Sequence, residues 1–416
     1  MSHAPTAALR ERHRIIRGAV AAAGLDALVV TSLPNVLYLT NFTGSSAIVI
    51  VDAERIQFMT DFRYATAIAD TRGLAHECPD LDLVLVEGSY DATLAAKLTG
   101  SRWRRVGFEA SHLTVARHNW LESAIRAAAS AGESPGSERE PMPPVQPGQP
   151  ALPSAPVPPV QPILPACGIS LVPTDQIVER ARVRKDDYEV ATLREAARRL
   201  SSVARSVAGE VRRGRSERAV AAAIDWRIRE AGFERSAFDT IVASGPQAAL
   251  PHARPTERTI IEGDLVVLDF GGVYDSYCVD LTRTVVVGKA DQRVREVYDA
   301  VRAARNSAVA AVAPGRSRFD IDAAARDLLT ARGLGDAFGH GTGHGLGIEV
   351  HENPRITRRR PDVDAQDEAV AAGMIFTIEP GAYVPGWGGV RIEDDVLVTD
   401  GGVEVLTDVT TDLIEV

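Results

Sequence analysis

The sequence predicts a two-domain α/β chain, and three observations carry the prediction. The chain is long and apolar enough for two cores, with 416 residues and 45% hydrophobic content. Short strand-like and helix-like pieces alternate through its first part. Its second part repeats itself at a fixed offset.

The elements follow in order. The opening "MSHAPTAALRERHRIIRGAV" is an amphipathic helix, and "DALVV", "AIVIVD", "IQFMTD" and "VLVEG" read as short strands. A further helix is expected around Trp120–Ala129. From Glu133 to Ala166 the chain spends twelve of its 24 prolines, and "PPVQP" occurs at Pro143–Pro147 and again at Pro158–Pro162. Such a run forms neither helix nor central strand, so a solvated, polyproline-like surface insertion is expected. A PxxP-type ligand for a partner is the alternative. "ISLVPTDQIVERARVRKDDYEV" then reads as a closing strand and a turn into a long helix. The first domain is therefore assigned to residues 1–182, with its insertion at 133–166, and the second to 183–416.

Within the second domain, "GRSERAVAAAIDWRIREAGF" from Gly214 and "GRSRFDIDAAARDLLTARGL" from Gly315 align without a gap over twenty residues, offset by 101. Both begin with GRS, carry paired alanines eight residues on and end in a glycine suited to a left-handed cap. Duplicated halves facing each other would form a cleft.

Acids mark what that cleft holds. "LVVLDFGG" carries Asp269 and "YCVDLTRTVVV" carries Asp280, side by side if the two strands form a hairpin. In the other half "MIFTIEPG" ends an apolar strand in Glu379, and "GVRIEDDVLV" carries Glu393 on the next. Asp394 and Asp395 read as strand-end residues in solvent. Four carboxylates in runs this apolar are costly to ionise together, and divalent cations relieve the repulsion. With neighbouring imidazoles and no paired cysteine, the donor set suits Mn²⁺, Co²⁺ or Zn²⁺, and the number of carboxylates suits two ions sharing ligands.

The imidazoles come from "HGTGHGLGIEVHEN", His340–Asn353. A helix would put His340 and His344 on one face, but glycines at 339, 341, 343, 345 and 347 forbid it. An extended or looping backbone that something approaches closely is expected instead.

The formal charge of −10 argues against nucleic-acid or anionic-membrane partners. Three scattered cysteines, Cys78, Cys167 and Cys278, give no disulfide framework. With no apolar run near 20 residues and no signal peptide, a cytoplasmic protein is expected.

Taken in order, "LDFG", "VDLTRT", "HGTGHGLG", "VHENP", "IEPG" and "RIED" resemble the motifs of the pita-bread metallopeptidases, a family that includes aminopeptidase P, prolidase and methionine aminopeptidase. The resemblance runs from about Val183 to the C-terminus, and the preceding domain is similar to the creatinase-like N-terminal domain of the prolidase and aminopeptidase P branch. It implies Asp269, Asp280, His344, Glu379 and Glu393 as ligands of two divalent ions, Mn²⁺ first, with Asp280 and Glu393 bridging. It further implies that His252 and His351 polarise or hold the substrate and that Glu379 moves the proton. His340, Tyr383 and Arg391 would line the substrate site. Val279, where serine is frequent, and Asn41, where glycine is common, depart from the pattern without removing a ligand.

The activity so implied is hydrolysis of Xaa-Pro bonds, whose tertiary amide lacks the N–H that peptidases usually grip. An Xaa-Pro aminopeptidase leads, because no second cation besides Arg391 can be tied to the cleft to take a C-terminal carboxylate. An Xaa-Pro dipeptidase is the runner-up. A creatinase-like hydrolase or an inactive peptide-binding homologue fits the complete ligand set less well. The resemblance also implies a homodimer or larger assembly.

Overall fold

The computed structural model describes residues 3–132, 168–360 and 368–416. The proline-rich stretch 133–166 lies outside the described residues. The first unit is a six-stranded sheet of β1 (Ala27–Val30), β2 (Ile48–Asp52), β3 (Ile56–Thr60), β4 (Leu81–Leu85), β5 (Arg105–Glu109) and β6 (Ser170–Thr174). Its order is β4-β3-β2-β1-β5-β6. The β1–β2–β3 meander is antiparallel, and β4, β5 and β6 join in parallel. The helices of this unit are α1 (Thr6–Ala22), α2 (Leu33–Thr40), α3 (Phe62–Ala69), α4 (Tyr90–Thr99) and α5 (Val115–Gly132). Helix α1 buries Leu9, His13, Ile16 and Val20, a 3.6-residue stripe, against this sheet. The expected strand "VLVEG" is shifted: β4 begins at Leu81 and stops at Leu85, because pairing with β3 ends there at Thr60. Strand β5 was not anticipated, since its charged ends and central Gly107 obscure the apolar run.

Helix α6 (Ile177–Val183) leads into α7 (Asp187–Val207), whose start is fixed by a capping box between Asp186 and Glu189. The border expected after Arg182 therefore falls in the last turn of α6. Tyr188 and Ile348 pack against cores on both sides of it.

Beyond it the two repeats are built alike. Ser216 caps α8 (Glu217–Glu230) and Ser317 caps α10 (Arg318–Ala331), each through its hydroxyl. Gly214 and Gly315, two residues before these caps, share left-handed φ values of +87° and +81°. Long α9 (Gln292–Ala311) packs on α10. One sheet holds β7 (Arg235–Ser236), β8 (Ile241–Ser244), β9 (Leu265–Tyr274) and β10 (Tyr277–Val286). The other runs β12-β11-β13-β16-β17, from β11 (Gly343–Gly345), β12 (Glu352–Ile356), β13 (Ile375–Ile378), β16 (Asp394–Thr399) and β17 (Gly402–Val405). A hairpin of β14 (Gly381–Val384) and β15 (Gly388–Arg391) lies between β13 and β16 in sequence, and β18 (Ile414–Glu415) adds to β10. Among the described residues no helix is long and apolar enough to cross a membrane.

Candidate metal centre

Asp269 on β9 faces Thr282 of β10, and Asp280 on β10 faces Gly271. The two carboxylates are thus diagonal neighbours on one face of the hairpin rather than directly opposed. Glu379 follows the last residue of β13. Glu393, expected on a strand, stands in the link between β15 and β16, where the chain leaves one partner strand for another. Its place is set by its own N–H donating to the Thr282 carbonyl (3.1 Å) and by Arg283 donating to its carbonyl (2.5 Å).

His344 is the middle residue of three-residue β11. A Cβ at Gly343 would lie 1.8 Å from the Thr377 carbonyl oxygen, and one at Gly345 would lie 2.1 Å from that of Asn353. The close approach read from the alternating glycines is strand against strand. The His344 Nδ1 lies 3.1 Å from the Gly345 carbonyl oxygen, which can only accept, so Nδ1 carries the proton and Nε2 is bare. Burial, with His351 beside it, pushes the imidazole pKa down to about 3, so the ring is neutral and ready to ligate. Its Nε2 is 3.7 Å from Glu379 Oε1.

Donor atoms of Asp280, His344 and Glu393 all lie within 4.8 Å of one another. Burial first, then repulsion from Glu393 and Asp269, drives the Asp280 carboxyl well above its usual range, and burial with Glu379 and Asp269 does the same to Glu393. Glu379 is pushed up to about 7, mainly by burial. Asp269 Oδ1, Asp280 Oδ1 and Glu393 Oε1 are buried with no hydrogen-bond partner. Orphaned carboxylate oxygens converging on a bare imidazole nitrogen are the donor set of a divalent-cation site, so the residues present fit the metals expected from the sequence.

Around these ligands lies a cleft of about 660 Å³. His252, His340, His351 and Arg391 line it with the four acids and the imidazole above, whereas Tyr383 is buried behind them. Arg391 donates to Asp269 and, at 2.8 Å, to the Tyr383 hydroxyl. That hydroxyl is 2.9 Å from His340 Nε2, while His340 Nδ1 donates to the Gly341 carbonyl at 2.7 Å. Tyr383 therefore donates to His340, both of whose nitrogens are engaged. Burial holds this ring neutral, with a pKa of about 4. His351 stacks edge-on to His344 with centroids 4.3 Å apart and lines the cleft.

The family model described as metallopeptidase family M24 matches residues 191–400, and that of the creatinase/prolidase N-terminal domain matches residues 12–134. An uncharacterized peptidase of Bacillus subtilis, YqhT, is 34% identical over 391 residues, covering 94% of this chain and 96% of its own. The chain belongs to metallopeptidase family M24. An Xaa-Pro dipeptidase structure from Bacillus anthracis superposes with a TM-score of 0.82 at 32% identity over 98% of this chain and all of that one. An X-Pro aminopeptidase from Thermotoga maritima superposes at 0.76 and 27% identity, covering 94% and 98%. This M24 metallopeptidase thus has the expected creatinase-like N-terminal domain and pita-bread catalytic domain.

Several residues that serve the centre escaped the sequence reading. Thr282, fully buried, donates to Glu393 Oε2 at 2.5 Å and accepts from Arg391 at 3.2 Å. Asp322 accepts from the Thr342 N–H (3.1 Å) and hydroxyl (2.8 Å), holding the strand that carries His344. Asp394 and Asp395, expected in solvent, are both fully buried. Asp394 is neutralised by Arg283 and Arg305 at 2.7 Å each, and Asp395 accepts from the Asp280 N–H at 3.1 Å. They lie in β16, which is paired with β13 on one side and β17 on the other. Only the RTVVV stretch of β10 hinted at this, by placing an arginine in an apolar strand.

Proposed function

We propose that this metallopeptidase hydrolyses Xaa-Pro bonds, with two divalent ions, Mn²⁺ first, held by Asp269, Asp280, His344, Glu379 and Glu393, and that its preferred substrates are dipeptides. The observation that carries the length preference is Arg355. It is the cross-strand neighbour of His344 in the β11–β12 ladder, so its side chain rises from the same face as a metal ligand. It lines the cleft, and no hydrogen bond holds its guanidinium among the described residues. The sequence reading favoured an open-ended aminopeptidase because it found no second cation; Arg355 is such a cation, and "VHENPR" contained it.

Bound divalent ions supply Lewis acidity that brings the pKa of water near neutrality. The chain's own groups do the rest. Glu379 takes the proton of the attacking water and passes it to the proline nitrogen, which has none of its own. His252 and His351, which line the cleft, donate to the scissile carbonyl oxygen as charge develops there. Arg391, fixed by Thr282 and Tyr383, orients the Asp269 carboxylate by donating to it. Arg355 binds the carboxylate that follows proline directly in a dipeptide, an interaction that a longer chain lacks at that place.

The test compares kcat/KM of the Mn²⁺-loaded protein on an Xaa-Pro dipeptide and on an Xaa-Pro-Xaa-Xaa tetrapeptide. A preference for the dipeptide of at least roughly tenfold, about 1.4 kcal/mol, is expected. Equal or better cleavage of the tetrapeptide assigns the aminopeptidase activity instead, and cleavage of neither overturns the proline specificity.

A further inference from the structure

We infer that Arg182, at the end of α6, is a positioning residue through which the N-terminal domain sets the affinity for the substrate's carboxylate end. Arg182 is 2% exposed and lies where the two domains meet. Its Nη1 donates to Asn35 Oδ1 at 2.6 Å, and its Nη2 donates to Glu349 at 2.9 Å and to Glu352 at 2.5 Å. Lys185 reaches the other oxygen of Glu352 at 3.6 Å. On the far side Asn35 donates to Glu109 at 2.6 Å and to Glu179 at 2.7 Å, and Glu109 accepts the backbone N–H groups of Thr31 and Ser32. A continuous run of charged hydrogen bonds therefore joins the end of β5, through α6, to the first residue of β12.

What that first residue controls follows from the shortness of the strand it opens. Pro354 and Ile356 of β12 are buried while Arg355 is exposed and lines the cleft, and the Glu352 side chain is 7% exposed. His351 precedes Glu352 directly and Arg355 follows three residues on, and both line the cleft. Gripping Glu352 thus fixes the short segment that carries both. A second cavity of about 300 Å³, walled by Arg182, Glu349 and Glu352, adjoins the cleft and shares His351 and Arg355 with it. These two side chains form a partition with space on both sides; His351 is steadied by its edge contact with His344, and the anchorage of β12 sets the position from which both reach the cleft. Two charge-assisted bonds are strong enough for that task.

The inference rests on Arg355 reading a carboxylate, and the experiment separates the two. KM and kcat are measured for an Xaa-Pro dipeptide and its C-terminal amide in the wild type, Arg182→Gln and Glu349→Ala, with bound metal and melting temperature recorded. In Arg182→Gln, KM for the dipeptide should rise roughly tenfold, equivalent to one lost 1.4 kcal/mol contact. Its kcat should stay within roughly threefold with full metal content, and its preference for acid over amide should shrink. Glu349→Ala removes one partner of Arg182 from a half-exposed site without stranding a buried charge; it should shift KM and the preference in the same direction, less far. Should Arg182→Gln fail to fold, Glu349→Ala carries the test. An unchanged KM in folded, metal-loaded variants, or a fall in kcat alone, overturns the inference. A wild type indifferent to acid or amide would sink the Arg355 reading and the inference with it, whereas a wild type that prefers the acid, with KM unchanged in the variants, overturns the inference alone.

Discussion

Arg391 shows how little a single residue's identity reveals before its partners are known. Adjacent motifs placed it beside the metals, but its work is divided among Asp269, Tyr383 and Thr282, and only the first of these was an expected neighbour of the ions. The proposed acidic ligands could be picked out because a carboxylate in an apolar strand is conspicuous. Thr282 was not, since a threonine in a β-strand is ordinary in any sequence. Its hydroxyl orients Glu393, and partners of this kind commonly contribute 10–100-fold to metal affinity. Thr282→Val keeps the shape and removes the hydroxyl, so Mn²⁺ affinity should fall by about that factor with little loss of thermal stability. Titration of metal-free protein by calorimetry checks it, and an unchanged affinity would assign Thr282 to packing alone.

At the scale of elements the repeat was the most legible feature. GRS at Gly214 and at Gly315 is a turn glycine followed by a serine cap, and both copies form that local structure. The site segment was legible for a different reason, that glycines so spaced exclude a helix. Sequence could not say which glycines bear the close contacts. A Cβ at Gly345 would meet the backbone of Asn353, whereas one at Gly339 meets nothing within 4 Å. Gly345→Ala must push β11 from β12 and so displace His344 and Arg355 together; a destabilisation of about 1–3 kcal/mol is expected, with a fall in kcat/KM of more than tenfold. Gly339→Ala should be close to neutral in both. Equal effects of the two substitutions on melting temperature and activity would contradict this account of the segment.

Across the whole molecule, the contacts that join the domains were the least legible, because they pair residues far apart in sequence: Arg182 with Glu352, and Arg12 with Asp186 at 2.8 Å. Charged residues in helices usually face solvent, and nothing local distinguishes these. His13 is a similar case. It is fully buried, its Nε2 donates to the Leu39 carbonyl at 2.7 Å, and burial lowers its pKa from 6.5 to about 4. A depressed folded-state pKa means stability that is complete above pH 6.5 and lost as pH falls through the window down to 4. At about 1.4 kcal/mol per pH unit, the wild type should lose about 2 kcal/mol more than His13→Gln between pH 6.5 and pH 5, read from urea midpoints. Parallel losses would show that burial does not lower the folded-state pKa of His13. The account as a whole depends on the centre where the two repeats converge, and metal stoichiometry addresses that directly. Titration of Mn²⁺ into metal-free wild type and Asp280→Ala, with turnover measured at each ratio, should give two ions per chain in the wild type. In the variant it should give at most one ion and no turnover. A wild type saturating at one ion or none, or an Asp280→Ala protein that binds two and remains active, would contradict the shared-ligand centre.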